Sequence, residues 1–167
     1  MASVIVEDGT GLATANSYIS VADAGTYFEK HLYGSDFTGA SAANQAIAVM
    51  MATRLLDDFF KFEGQKIGSV QALEFPRFGI TDRSGYLIDA ATLPTELTEA
   101  TAELAKWLIA SDRTADASGK GFKRLVAGSL TMEPDTGDKA PVIPDVVSKM
   151  LVAIATPIGG AIVEVAR

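Results

Sequence analysis

The sequence contains no cysteine and a single histidine, His31. The first absence excludes a disulfide framework, thiolate metal sites and a thiol nucleophile. It also fits a reducing compartment. The second leaves His31 as the only imidazole base or ligand. His31 is expected near the end of a short helix, where a cation is favourable without any chemistry. Carboxylates alone make a poor metal site here, because Asp57 and Asp58 are adjacent on an expected helix and diverge. No Asx-rich calcium loop ending in Glu is present. No cofactor or metal is expected, and no catalytic residue. Cations are scarce as well: 14 Lys and Arg face 21 Asp and Glu, for a net charge of −7. A protein that wraps nucleic acid by neutralising phosphates is usually basic. Long apolar runs are also missing. The uncharged stretch between Lys149 and Glu164 is too short for a membrane span and is broken by Pro157, Gly159 and Gly160. The N-terminus shows no basic segment followed by an apolar one, so no secretory signal is read and a soluble chain is expected.

What is present is a core. Of 167 residues, 48% are hydrophobic, enough for one domain with arms. Val4-Ile5-Val6 is a short strand or extended arm stopped by Asp8-Gly9. Gly9-Thr10-Gly11 suggests a phosphate loop. It lacks the third glycine of a dinucleotide fingerprint and the Gly-Lys-Ser/Thr of a P-loop, so a plain turn is expected. Ser20 caps a helix over 21–32 that buries Tyr27, Phe28 and Leu32. Ser41 caps a second helix with the ladder Ile47, Met51, Leu55 and Phe59 on one stripe, ended by Gly64. Residues 65–91 read as a long loop pinned by Phe75, Phe78, Tyr86 and Leu87. Pro94 opens a third helix that buries Leu97, Ala100, Leu104, Leu108 and Ile109, with Trp107 to one side. Glu96, Glu99 and Glu103 form a stripe on it that is expected to be exposed.

Residues 121–133 read as a β-hairpin, Phe122 to Val126 and Ser129 to Met132. Lys120, Lys123 and Arg124 with Phe122 give a minimal charge-plus-stacking pattern for single-stranded DNA. The competing account is a solvated hairpin face, or a hairpin projecting toward a ring lumen or a neighbouring subunit. Pro144 opens a fourth helix with Val147, Met150, Leu151 and Ile154 inward, ended by Pro157 and Gly159-Gly160. Residues 161–167 favour a strand. That strand either joins a partner's sheet edge or packs on its own subunit. The expected fold is mainly α: a bundle of about four helices over 1–160, a small hairpin and extended terminal arms.

Two blocks carry a family resemblance. They are Val6-Glu-Asp-Gly-Thr-Gly11 with Ala15-Asn-Ser-Tyr-Ile-Ser20, and Gln71-Ala-Leu-Glu-Phe-Pro-Arg-Phe-Gly79 running on to Tyr86. The chain resembles the head–tail adaptors of tailed bacteriophages, a family also labelled DnaT-like single-stranded-DNA-binding. The resemblance implies a structural virion protein at the neck, assembled in the host cytoplasm. It implies a ring, expected as a dodecamer, between the portal protein and tail or neck proteins. Double-stranded DNA would pass through, and no membrane is involved. An acidic wall suits that passage, because it does not trap phosphate. On this footing Ile162, Val163, Glu164, Val165 and Arg167 are portal-binding candidates. Lys120, Phe122, Lys123 and Arg124 are lumen- or DNA-facing candidates. Phe75, Arg77, Phe78 and Trp107 are subunit-contact candidates. The alternative function is a single-stranded-DNA-binding accessory protein.

Overall fold

The computed structural model describes residues 3–115, 125–127, 130–132 and 141–158. Among them are five helices and three two-stranded antiparallel sheets. The elements run α1 (Val21–Phe28), α2 (Ser35–Thr38), α3 (Ala42–Phe59), β1 (Phe60–Phe62), β2 (Gln65–Lys66) and β3 (Arg77–Phe78). They continue with α4 (Thr95–Ala110), β4 (Leu125–Ala127), β5 (Leu130–Met132), α5 (Asp145–Leu151) and β6 (Ala155–Pro157). No described helix is long and apolar enough to cross a membrane.

The helix starts follow the sequence. The Asp23 amide donates to Ser20 Oγ at 3.0 Å, and the Asn44 amide donates to Ser41 Oγ at 3.2 Å. Pro94 and Pro144 precede α4 and α5, where a missing N–H costs nothing. The helix ends are less faithful. The first helix stops at Phe28, not Leu32, and Leu32 is 87% exposed. Chain reversal brings Gly34 against Phe28, and Phe37 of α2 takes the core place, its ring 5.1 Å from that of Phe28.

The core is built on α3 and α4. Both bury small side chains, Ala48, Ala52 and Thr53 on α3 and Ala100, Thr101 and Ala105 on α4, and Thr53 meets the N-terminal segment by accepting from the Tyr18 amide at 3.1 Å. Small side chains let the two backbones approach closely. The buried hydroxyls stay satisfied, since Thr53 donates to the Val49 carbonyl (2.9 Å) and Thr101 to that of Leu97 (2.7 Å). The expected ladder does not form the core face. Ile47 is 53% exposed and Phe59 also faces outward, while Leu55 is buried. Residues four apart drift by about 40° per step on a 3.6-residue helix, so a ladder of three steps spans about 120° and leaves one face. The outward members Ile47 and Met51 line an open groove with Leu108 and Ile109.

The expected fourth helix is short. It ends at Leu151, and Ala155–Pro157 turns into β6, which pairs with β1 in the register Phe60↔Pro157 and Phe62↔Ala155. Pro157 therefore belongs to a strand and does not end the helix. Gly64 likewise lies beyond β1, because α3 gives way to strand at Phe60. Phe62 and Phe75 pack edge to face beneath this sheet, with centroids 5.0 Å apart. The segment 65–91 is mostly loop, as expected, but β2 and β3 pair within it. Phe75 is buried, whereas Phe78, Tyr86 and Leu87 are exposed, the last two at 74%. Tyr86 and Leu87 ride on a turn fixed by the Asp82 carboxylate, which accepts from the Ser84 and Tyr86 amides. The hairpin is present. Leu125↔Met132 and Ala127↔Leu130 pair antiparallel, with β4 ending and β5 beginning one residue later than expected.

Candidate functional site

Four polar constellations could hold a ligand, and each is built by different chain segments. The first is the opening turn. Glu7 is buried, and its carboxylate accepts from three backbone amides: Gly9 (3.0 Å), Gly11 (2.8 Å) and Leu12 (2.9 Å). Successive amides converging on one anion form a nest, the device by which glycine-rich loops hold phosphate. Here the chain's own carboxylate fills it. The sequence reading of Gly9-Thr-Gly11 as a turn stands, but its reason lay in Glu7, two and four residues ahead of the glycines.

The second constellation joins the two resemblance blocks. Tyr18 is buried, and its hydroxyl donates to Asp57 Oδ1. The Phe75 amide donates to the Tyr18 hydroxyl at 3.2 Å, and the Glu74 amide donates to Asp57 Oδ2 at 3.1 Å. Asp57 was expected on a solvated face with Asp58. Only Asp58 is exposed, because Asp57 points back under the 71–77 loop. Burial pushes the Asp57 carboxyl up to about 6, although its bonds from Tyr18 and the Glu74 amide oppose the rise. Burial, followed by the Asp57 charge, holds the Tyr18 phenol well above its usual range. Arg77 locks the same loop. It donates to the Glu63 carbonyl (2.7 Å), the Gly64 carbonyl (2.9 Å) and the Glu74 carboxylate (2.8 Å). Glu74 also pairs with Lys66 at 3.0 Å.

The Asp57 shift has a stability consequence. Between pH 3.8 and about 6 the folded chain holds a proton on Asp57 that the unfolded chain has released. Stability from this group therefore falls as pH rises through that window and levels off above it. Urea unfolding of wild type and Asp57→Asn from pH 4 to 7.5 should show it. The wild type should lose stability relative to the variant as pH approaches about 6, and a pH-independent difference would disprove the assignment.

The third constellation surrounds His31. Its Nδ1 lies 2.8 Å from the Tyr27 carbonyl, which can only accept, so Nδ1 carries the proton. The ring stacks on Tyr27 with centroids 4.0 Å apart, and Nε2 is 4.0 Å from Glu103 Oε1. Glu103 was expected on an exposed stripe. It is buried, ion-paired with Lys106 at 2.5 Å and accepting from the Tyr27 hydroxyl at 3.2 Å. Burial and the Glu103 charge raise the Tyr27 phenol. Tyr27 thus ties α1 to α4, with His31 packed against its ring. No group of three or more metal-capable side chains occurs among the described residues.

The fourth constellation is at the end of α4. Trp107 is 37% exposed, with the Arg113 guanidinium 5.1 Å and Lys106 Nζ 5.7 Å from its ring centroid. Arg113 donates to the carbonyls of Pro141 (2.6 Å) and Val142 (3.2 Å). These bonds bring Arg113 and Pro141 together although they are 28 positions apart in the sequence. β4 and β5 lie between them in the sequence.

The subunit-contact candidates thus separate. Phe75 is buried in this chain's own core and the half-buried Arg77 is held by internal bonds, whereas Phe78 and Trp107 face outward. The DNA-facing candidates Lys120, Phe122, Lys123 and Arg124 lie outside the described residues, as do Ile162, Val163, Glu164, Val165 and Arg167. The sequence missed Glu7, Asp57 and Glu103 as buried acids. Charge alone hides such residues. Only Glu7 left a signal, the glycines that follow it.

Comparison with known proteins gives one match. A family model described as "Putative DnaT-like ssDNA binding protein" covers residues 2–167. No curated protein and no solved structure matches the chain.

Proposed function

We propose that this chain, which belongs to the DnaT-like single-stranded-DNA-binding family, is a non-catalytic binding protein that engages single-stranded DNA. The observation that carries this function is the family match along 2–167, joined to the one basic stretch in an acidic chain. Between Asp116 and Glu133 the sequence holds Lys120, Lys123 and Arg124 and no acidic residue, with Phe122 among them. Such a segment supplies phosphate contacts and a stacking ring, the two parts of sequence-tolerant single-strand binding. The net charge of −7 over the whole chain repels the strand, so affinity is modest and confined to this stretch.

Fluorescence anisotropy with a labelled thymidylate oligonucleotide tests the proposal. Binding is expected at low salt, with log affinity falling against log salt at a slope of about −2, as about three phosphate contacts require. Lys123→Ala with Arg124→Ala should flatten that slope. No binding at low salt would reject the function.

A second function is favoured by a separate observation. The acidic surface is combined with exposed apolar features, the Ile47, Met51, Leu108 and Ile109 groove and the rigid Tyr86-Leu87 turn. Those features suit protein contacts, as in a ring-forming head–tail adaptor in the virion neck, between portal and tail or neck proteins, that lets DNA slide past. It becomes the leading account if single strands fail to bind.

A further inference from the structure

We infer that copies of this chain associate head to tail, with the Tyr86-Leu87 turn of one copy seated in the groove between α3 and α4 of the next. The inference goes beyond single-strand binding and names the self-contact that a ring-forming protein requires. The turn is a preformed knob. The Ile88 amide donates to the Ile80 carbonyl and the Asp82 amide to the Tyr86 carbonyl, both at 2.9 Å. Ile80 is buried, so the knob is rooted in the core. The Asp82 carboxylate accepts from the Ser84 and Tyr86 amides. Arg83 donates to the Lys149 carbonyl at 2.8 Å, which clamps the turn to the last turn of α5. Tyr86 and Leu87 are each 74% exposed on this frame. A rigid apolar tip loses little conformational entropy when it docks.

The groove is the complement of that tip. It is an open hollow of about 210 Å³ lined by Asn44, Ile47, Ala48, Met51, Leu108 and Ile109, apolar except for Asn44. Leu87 enters it and the Tyr86 ring lies across Ile47. Tyr86 has one polar atom, its hydroxyl, and the groove has one polar side chain, the exposed Asn44, to bond it. The charges agree. Between Asp36 and Arg54 the sequence holds no charged residue, so the α3 side of the groove is neutral in a chain of net charge −7. Two copies repel least there. The knob stands beside Arg83 and the exposed Lys149, while the Asp82 carboxylate is turned to the amides of its own turn. An acidic copy attracts such a face. Knob and groove are built by different elements, so the contact is heterologous, and each pair keeps one free knob and one free groove. Two inserted residues make a small contact, so association is weak and concentration-dependent.

Sedimentation velocity of the full chain, freed of nucleic acid and run at rising concentration, tests the contact. The wild type should sediment faster as concentration rises and should still do so at high salt, because the buried part is apolar. Leu87→Asp removes the knob and Ile47→Asp the groove. Each should weaken self-association about a hundredfold and sediment as a monomer. Both positions are exposed, so the variants should fold, which circular dichroism checks. Mixing the two variants is the decisive arm. One brings an intact groove and the other an intact knob, so the mixture should form pairs and nothing larger. A wild type that stays monomeric at every concentration, a variant that associates as the wild type does, or a mixture that fails to pair would overturn the inference. Strand binding, read by anisotropy on the same monomeric variants, stands or falls separately.

Discussion

Replacing Glu7 with alanine should cost about 3 kcal/mol or more of unfolding free energy, because buried donors lose their acceptor. The Gly9, Gly11 and Leu12 amides all converge on that one carboxylate. Glu7 is only 2% exposed, so water cannot replace it without opening the turn. The loss should spread, since the turn is walled by the second resemblance block: the Ala72 amide donates to the Leu12 carbonyl at 3.0 Å. Glu7→Gln should fall between wild type and Glu7→Ala. Its amide oxygen can still accept, but its NH2 group faces a donor. Urea denaturation gives all three values. A Glu7→Ala variant within 0.5 kcal/mol of wild type, the ordinary range for a surface change, would show that the nest is not a structural element.

Gly9→Ala should be at least as damaging, about 3–5 kcal/mol from backbone strain and overpacking together. Gly9 has φ of +93°, and a Cβ there would lie 1.8 Å from the Ala91 carbonyl oxygen. That obstacle is backbone, which cannot swing aside like a side chain. Gly85 separates the two causes. Its φ is +86°, yet nothing lies within 4 Å of an added Cβ. Gly85→Ala should therefore lose only the conformational part, about 1 kcal/mol. Thermal unfolding of both variants makes the comparison. Equal losses would mean that the approach of residue 91 to the turn is not tight.

These two residues explain what the resemblance blocks do. Residues 6–20 and 71–86 lie far apart in sequence, yet Tyr18, Asp57, Glu74 and Phe75 lock them together through four hydrogen-bonding groups. These contacts make the two blocks a determinant of the fold. The phosphate-loop possibility raised by Gly9-Thr-Gly11 fails for a physical cause, which is that the anion position is already occupied from within.

Much of this was legible in the residues. The Ser20 and Ser41 caps, the prolines ahead of α4 and α5 and the hairpin pairing are local, set by a few neighbouring residues; the caps and prolines appear where the sequence places them, and the hairpin is displaced by one residue. The α3 core face was not legible, because large side chains drew attention while small ones, Ala48, Ala52 and Ala100, are buried. The strand at Ala155–Pro157 was hidden too, since its partner β1 lies almost a hundred residues away.

By itself, then, the sequence determined the composition limits, the helix starts, the turn at Asp8-Gly9 and the single basic stretch in an acidic chain. Those depend on covalent neighbours and on charge, which a linear text contains. Tertiary structure alone decided which acids are buried, which face of α3 meets α4, and that Arg113 joins Trp107 to Pro141. Each of these depends on distances between segments that no local pattern encodes. A carboxylate reads the same whether water or three backbone amides surround it, and only the folded chain tells them apart.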